Sequence, residues 1–220
     1  ASPTPSPTPV DAVAAYEDPH LTNTRGEHFD VWQLGYVQFL RVPLAATEDS
    51  ADFVLGADIR NVSSDWAVTT CLSPYITETT VSGRSVFKPI TISLHGPGRT
   101  LVTQGGAPLQ LSADPVHVGN FLAKPILIKR PRESIWVNGK VFDTNNAVEL
   151  LVGDVVIQVT AGKAHLNVIG NNISAFGERI GGVLGEDDHS DVSKAPQSCA
   201  KKHTLLYSRR LGGSSVSYSE

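Results

Sequence analysis

The feature that most constrains the fold is a succession of short strand-like segments separated by turn signals. Runs rich in β-branched and aromatic residues recur along the chain, among them "DFVLGADI", "VFKPITISL" and "DVVIQVTA". The turn signals between such runs recur about every 8 to 12 residues, and no stretch of about ten residues carries the apolar stripe of an amphipathic helix. The pattern predicts an all-β fold built as an antiparallel β-sandwich or barrel.

Glycine-containing turns predict where the hairpins of this fold lie. Asn138-Gly139 stands between "SIWV" and "KVFD" and predicts a type I′ turn, because both central positions of that turn need a positive φ. Gly153 and Gly162 separate further strand-like runs. Residues 96–120 are rich in glycine and proline, and we expect a long loop there with one or two short strands.

The length of 220 residues suits one large β domain between two polar ends. Residues 1–15 contain the repeat "SPTPSPTP", which favours extended polyproline II and predicts a linker or a glycosylated stalk. We place the β domain at residues 16–195 and a polar C-terminal tail at residues 196–220. The missing N-terminal Met suggests a processed protein or a piece of a longer one.

Composition argues against a nucleic-acid partner and against a membrane-spanning helix. The formal net charge is −4, and no basic stripe interleaves with aromatic residues, so we expect no nucleic-acid partner. No apolar run approaches the roughly 18 residues of a membrane-spanning helix.

The Ser/Thr/Pro repeat and two sequons point to an extracellular or cell-surface location. Asn61 and Asn172 each begin a sequon for N-glycosylation. Cys71 and Cys199 have no partner at the short spacing of a zinc motif, so they form either one disulfide or two unrelated buried thiols.

Four carboxylates lie close together after Gly185. Glu186, Asp187, Asp188 and Asp191 fall within six residues of sequence. Ca²⁺ takes several oxygen ligands in irregular geometry, and like charges at this spacing would gain from a bound cation. The sequence therefore predicts a calcium site, with a solvated acidic turn as the alternative.

Three motifs taken in order resemble the von Willebrand factor type D domain. They are Asp18-Pro19-His20 followed by "GEHFDVWQLGYVQFL", then Val137-Asn138-Gly139, and finally "IGGVLGEDDHSD" at residues 180–191. The resemblance spans roughly residues 16–195 and implies that Asp18 lies beside the acidic loop as a fifth calcium ligand.

The departures from that family define which version the chain resembles. Glu17 stands where the family has Gly, and Val37 and Leu184 stand where it has cysteines. The resemblance is therefore to cysteine-poor versions, in which apolar packing replaces a buried disulfide. We expect no intermolecular disulfide assembly of the mucin kind.

The Asp18-Pro19 bond has two interpretations. An Asp-Pro bond is chemically labile and His20 could assist as an acid or base, so self-cleavage is one of them. The other, which we favour, is that Pro19 stiffens the entrance of the first strand.

We expect a non-enzymatic module that contacts other protein chains of an extracellular assembly or of a larger parent chain. No metalloprotease, nucleophile-elbow or phosphate-loop motif occurs, so we assign no catalytic residue. The alternative is an enzyme or a carrier of a small ligand on the same fold. In that case Trp32, Trp66 and Trp136 would line a deep apolar pocket, although aromatic residues on strands more often belong to the core.

Overall fold

A computed structural model describes residues 11–16, 19–61, 74–137 and 139–194. Within these ranges the chain consists of strands and loops, with two short 3₁₀ turns at Thr144–Asn146 and Ile173–Phe176. The strands are β1 Ala12–Tyr16, β2 His20–Thr22, β3 His28–Asp30, β4 Gly35–Val42, β5 Phe53–Asn61, β6 Pro74–Ser82, β7 Ile90–Leu94, β8 Thr100–Gln104, β9 Ala107–Pro108, β10 Val116–Phe121, β11 Lys124–Lys129, β12 Ile135–Val137, β13 Lys140–Phe142, β14 Ala147–Val152, β15 Val155–Ala161 and β16 Leu166–Asn171.

The strands form two antiparallel sheets and one separate hairpin. The first sheet has eight strands in the order β10-β11-β14-β15-β16-β1-β2-β3. The second has six in the order β4-β5-β6-β7-β8-β9, and β12 and β13 pair only with each other. This arrangement confirms the predicted all-β antiparallel sandwich.

One core cluster takes apolar side chains from both sheets. Strand β7 shows the underlying period of two, because Ile90 and Ile92 are fully buried while Thr91 and Ser93 are not. The largest fully buried side chains include Phe39 of β4 and Phe53 of β5. Burying a side chain of this size contributes about 1.5–3 kcal/mol relative to leaving it exposed.

Arg130 joins the two sheets at one side of the sandwich. Its guanidinium donates to the Thr100 hydroxyl of β8 at 2.5 Å and to the Ala147 carbonyl of β14 at 2.9 Å. Burial of the charged group lowers the pKa of Arg130. These two acceptors compensate for that burial, so one side chain satisfies polar groups of both sheets.

The predicted hairpins are present, and the linker boundary is wrong. Strands β12 and β13 pair across Gly139, which has a φ of 74°, and Gly153 has a φ of 60° between β14 and β15. Ala12–Tyr16 forms strand β1 between β16 and β2, so the predicted linker at residues 1–15 extends at least four residues too far. The small apolar side chains of this strand fill the core without the β-branched pattern that signals a strand.

The segment at residues 96–120 contains more strand than the sequence predicts. Strands β8 and β9 lie within it, and β10 begins at Val116.

No helix among the described residues has the length and apolar character needed to cross a membrane.

Replacing Gly139 tests the hairpin turn. Apart from its two chain neighbours, no described residue has an atom within 4 Å of where a Cβ would stand on Gly139, so a substitution meets backbone strain and no clash. Gly139→Val should destabilise the protein by about 1–2 kcal/mol, because a β-branched residue resists a positive φ. Gly139→Asn, the matched control, should lose less because Asn tolerates this conformation. Equal denaturant midpoints for wild type and Gly139→Val would contradict the turn assignment.

Candidate functional site

A glycine segment, residues 181–185, pairs with the edge of β4. Arg41 and Gly181 exchange two backbone hydrogen bonds of 2.9 and 2.8 Å, and the Leu184 N–H donates to the Phe39 carbonyl at 2.9 Å. Gly182 has a φ of 88°, and a Cβ there would lie 2.4 Å from the Phe39 carbonyl oxygen. The close approach therefore requires glycine, and the pairing covers an otherwise open sheet edge.

Val37 and Leu184, for which we expect apolar packing, are both buried. Val37 is 3% exposed and Leu184 is fully buried, and both belong to the same core cluster. Both side chains therefore contribute to the apolar packing of the core.

Two arginines compensate the first two carboxylates of the acidic loop, residues 186–191. Asp187 lies 3.0 Å from the Arg41 guanidinium and also accepts the Gly182 N–H at 2.8 Å. Glu186 accepts hydrogen bonds from Arg179, which lowers the pKa of Glu186 and raises that of Arg179. Arg41 is far from the acidic loop in sequence, so the sequence pattern gives no signal of that partner, whereas Arg179 lies only 7 residues before Glu186.

The other two carboxylates of the acidic loop are exposed. Asp188 accepts the backbone N–H of Ser190 at 2.9 Å and its hydroxyl at 3.0 Å, and these bonds lower the pKa of Asp188. Asp191 lies on the surface of the same loop. Each carboxylate therefore has its own surroundings, and the four do not converge on one point.

The predicted calcium site at Asp18, Glu186, Asp187, Asp188 and Asp191 stays a prediction. In the part of the chain that the structure describes, no three His, Cys, Asp or Glu side chains form a group that could hold a metal ion. Asp18 lies outside the described residues. Calcium at this loop would require Arg41 and Arg179 to share or release their carboxylates.

The turn between β2 and β3 packs against the acidic loop. Glu27 accepts from the Asn23 side chain at 2.6 Å and from Arg25 at 2.7 Å, and these bonds lower the pKa of Glu27. The ring of His189 stacks on Phe29 with centroids 3.7 Å apart. No local sequence pattern predicts this contact, because Phe29 and His189 are far apart along the chain.

The Asp-Pro-His motif opens strand β2. Pro19 is buried, and its carbonyl accepts the Val31 N–H at 3.1 Å. His20 Nδ1 lies 2.5 Å from Asp30 Oδ1 across the β2–β3 pair. These contacts agree with a strand entrance. Cleavage at Asp18-Pro19 stays a prediction, because Asp18 is outside the described residues.

Of the predicted modification sites, the structure describes the two sequon asparagines. Asn61 is exposed at the end of β5. Asn172 is exposed in a left-handed turn, where its side-chain amide donates to the Asp154 carbonyl at 2.9 Å. Cys71 and Cys199 lie outside the described residues, so the disulfide stays a prediction.

The β12–β13 hairpin carries the most exposed large apolar side chain of the described structure. Trp136 is 72% exposed, and Val141, its cross-strand partner, is 50% exposed. The other face of the hairpin buries Ile135, Val137 and Phe142 against the eight-stranded sheet. The expectation that aromatic residues on strands belong to the core is therefore wrong for Trp136.

Two grooves in the described part of the chain are open to solvent. One, of about 440 Å³, is lined by Arg60, Glu78, Lys163 and neighbouring residues. The other, of about 400 Å³, lies between Phe87 and His117.

In comparisons with known proteins, no family model matches this chain, and no curated protein shows significant similarity to it.

Removing the charge of Asp187 tests the arginine pairing. Asp187→Asn should destabilise the protein by about 1–3 kcal/mol, because Arg41, which is 18% exposed, loses its ionised partner. The exposed Asp191→Asn in the same loop is the matched control and should change stability by less than about 0.5 kcal/mol. Urea unfolding at neutral pH measures both, and equal losses would contradict the assigned pairing.

Urea unfolding of the wild type in millimolar Ca²⁺ and again in excess chelator tests the calcium prediction. Binding to the folded state alone stabilises by about 2.7 kcal/mol at a hundredfold excess over Kd. Calcium binding predicts a lower stability of the wild type in chelator, and identical wild-type curves would end that prediction.

Proposed function

We propose that this chain is a non-enzymatic protein-interaction module of an extracellular or cell-surface assembly, built on a von Willebrand type D-like sandwich. The observation that carries the proposal is the exposed pair Trp136 and Val141 on the β12–β13 hairpin. Large aromatic side chains are enriched at protein interfaces, where they supply much of the binding energy.

The packing of the β12–β13 hairpin against the sheet suits the display of its exposed side chains to a partner protein. Its inner face packs against Tyr16 and Ile169 of the eight-stranded sheet, so the outer face is held on a rigid base. Gly139 of the Val-Asn-Gly motif lies in its turn. A rigid anchor loses little conformational entropy when a partner binds it.

The described core supports contact through the surface over carriage of a ligand. Apolar side chains of both sheets pack into one core cluster among the described residues, and the two grooves described above open to solvent. A small-ligand carrier needs a pocket that buries most of its ligand. The extracellular assignment rests on the sequons and on the Ser/Thr/Pro repeat, and the type D assignment rests on the three motifs.

Photo-crosslinking from the hairpin tests this function. The 220-residue chain carries p-benzoyl-phenylalanine in place of Trp136 and is irradiated in the surface fraction of cells that make it. We expect one defined protein adduct, which excess unmodified chain suppresses.

The matched control carries the same probe in place of Leu101, which is 36% exposed on β8, and should give no such adduct. Equal labelling from both positions would contradict the proposal that the β12–β13 hairpin is the interaction surface. A small molecule that stays bound in native mass spectrometry would favour the carrier alternative.

A further inference from the structure

The residues that precede β1 start from a fixed point at one end of the eight-stranded sheet. The Asp11 carboxylate accepts the Ser174 N–H at 2.9 Å, and the Asp11 carbonyl accepts the Ile173 N–H at 3.2 Å. Ala12 then begins β1 beside β16. The Ser/Thr/Pro repeat, residues 2–9, ends two positions before Asp11, so these contacts tether it to the sheet.

Trp136 lies a short distance from this tether. The β12–β13 hairpin packs against Tyr16, the last residue of β1, and against Ile169, the partner of Ala14 in β16. Four residue steps separate Ala12 from Tyr16, which is about 13 Å along the strand. The hairpin, as a second packed layer, stands about 10 Å above the sheet, so the direct separation is about 16 Å.

The repeat is long enough to cover this separation. Residues 3–9 span about 22 Å in the polyproline II conformation that their sequence favours. The path to Trp136 turns back before the tether and runs over the outer side of β1. Ala12 and Ala14, the residues of β1 on that side, have side chains of a single methyl group and leave the path open.

The chemistry of the repeat suits an exposed indole. Trp136 and its cross-strand partner Val141 are both exposed on the outer face of the hairpin. Proline-rich segments dock on exposed aromatic side chains, because polyproline II is already formed before binding and little chain entropy is lost. This helix has three residues per turn, so the alternating prolines of residues 3–9 give each of its three faces at least one ring. Its carbonyls have no internal partner and can accept the indole N–H.

We propose that the Ser/Thr/Pro repeat docks on Trp136 of its own chain and shields this side chain from partner proteins. The tether favours the repeat of the same chain over that of a second copy, because a short linker gives an effective concentration of roughly millimolar. If the docked form holds about nine-tenths of the molecules, the apparent affinity for a partner falls about tenfold. The shielding rests on the proposed function, whereas the docking rests on the contacts of this chain alone.

Fluorine NMR of the 220-residue chain labelled with 5-fluorotryptophan tests the docking. The variant Trp136→Phe identifies the Trp136 resonance by its loss. The proline variant should move that resonance and enlarge its shift between H₂O and D₂O, because loss of the docked repeat exposes the ring to solvent. This variant replaces the four prolines of the repeat: Pro3→Ala, Pro5→Ala, Pro7→Ala and Pro9→Ala.

The matched control changes the residues between these prolines and keeps the prolines themselves. It carries Thr4→Ala, Ser6→Ala and Thr8→Ala, and the Trp136 resonance should stay where it is in the wild type. The substitutions in both variants precede β1, so they leave every described strand unaltered.

Three results of this measurement overturn the proposal. An unmoved Trp136 resonance in the proline variant overturns the docking. A control that moves the resonance as far as the proline variant does overturns the role of the prolines. A wild-type resonance that shifts with protein concentration assigns the site to the repeat of a second copy and overturns docking within one chain.

Crosslinking separates failure of the docking from failure of the proposed function. The probe p-benzoyl-phenylalanine replaces Val141, so that Trp136 stays intact, and the chain is irradiated in the surface fraction of cells that make it. The proline variant should capture more partner than the wild type, up to about tenfold when the partner is limiting.

Equal adduct yields from the wild type and the proline variant overturn the shielding. A moved Trp136 resonance without any adduct supports the docking and contradicts the proposed function. An adduct with an unmoved resonance supports the proposed function and overturns the docking.

Discussion

The backbone pairing of the glycine segment with β4 is the contact on which the candidate site depends. Gly181, Val183 and Leu184 form hydrogen bonds with β4, and Gly182 passes too close to the Phe39 carbonyl to carry a side chain. This pairing covers one edge of the six-stranded sheet. It also fixes where the acidic loop begins, because residue 186 follows directly after the paired segment.

The electrostatics of the site follow from that placement. Pairing with β4 brings Asp187 to Arg41, whose own backbone takes part in the pairing, and the Gly182 N–H gives Asp187 a second donor. Charge-assisted bonds of this kind are stronger than neutral ones, and they reduce the repulsion among neighbouring carboxylates. The arginines thus supply compensation that the sequence analysis assigns to a calcium ion.

Local patterns predict the parts of this fold that depend on neighbours in sequence. The alternation in β7 and the glycines of two hairpins identify strands and turns correctly, because strand faces and positive φ are local properties. The partner of Asp187 is not predictable in this way, since Arg41 lies 146 residues from Asp187. The exposure of Trp136 likewise depends on which face of a short hairpin meets the sheet. The left-handed Leu122-Ala123 turn carries no glycine or asparagine, so no turn signal marks it.

Native-state amide hydrogen exchange tests the central role of the glycine segment most directly. In the wild type, the amides of Gly181, Val183 and Leu184 should be as strongly protected as the central strands β14 and β15, because each donates to β4. Gly182→Ala should remove that protection while β14 and β15 keep theirs. Gly177→Ala, at a positive φ of 70° but with open space around its Cβ, should leave the segment protected. Unprotected amides in the wild type, or unchanged protection in Gly182→Ala, would contradict the account.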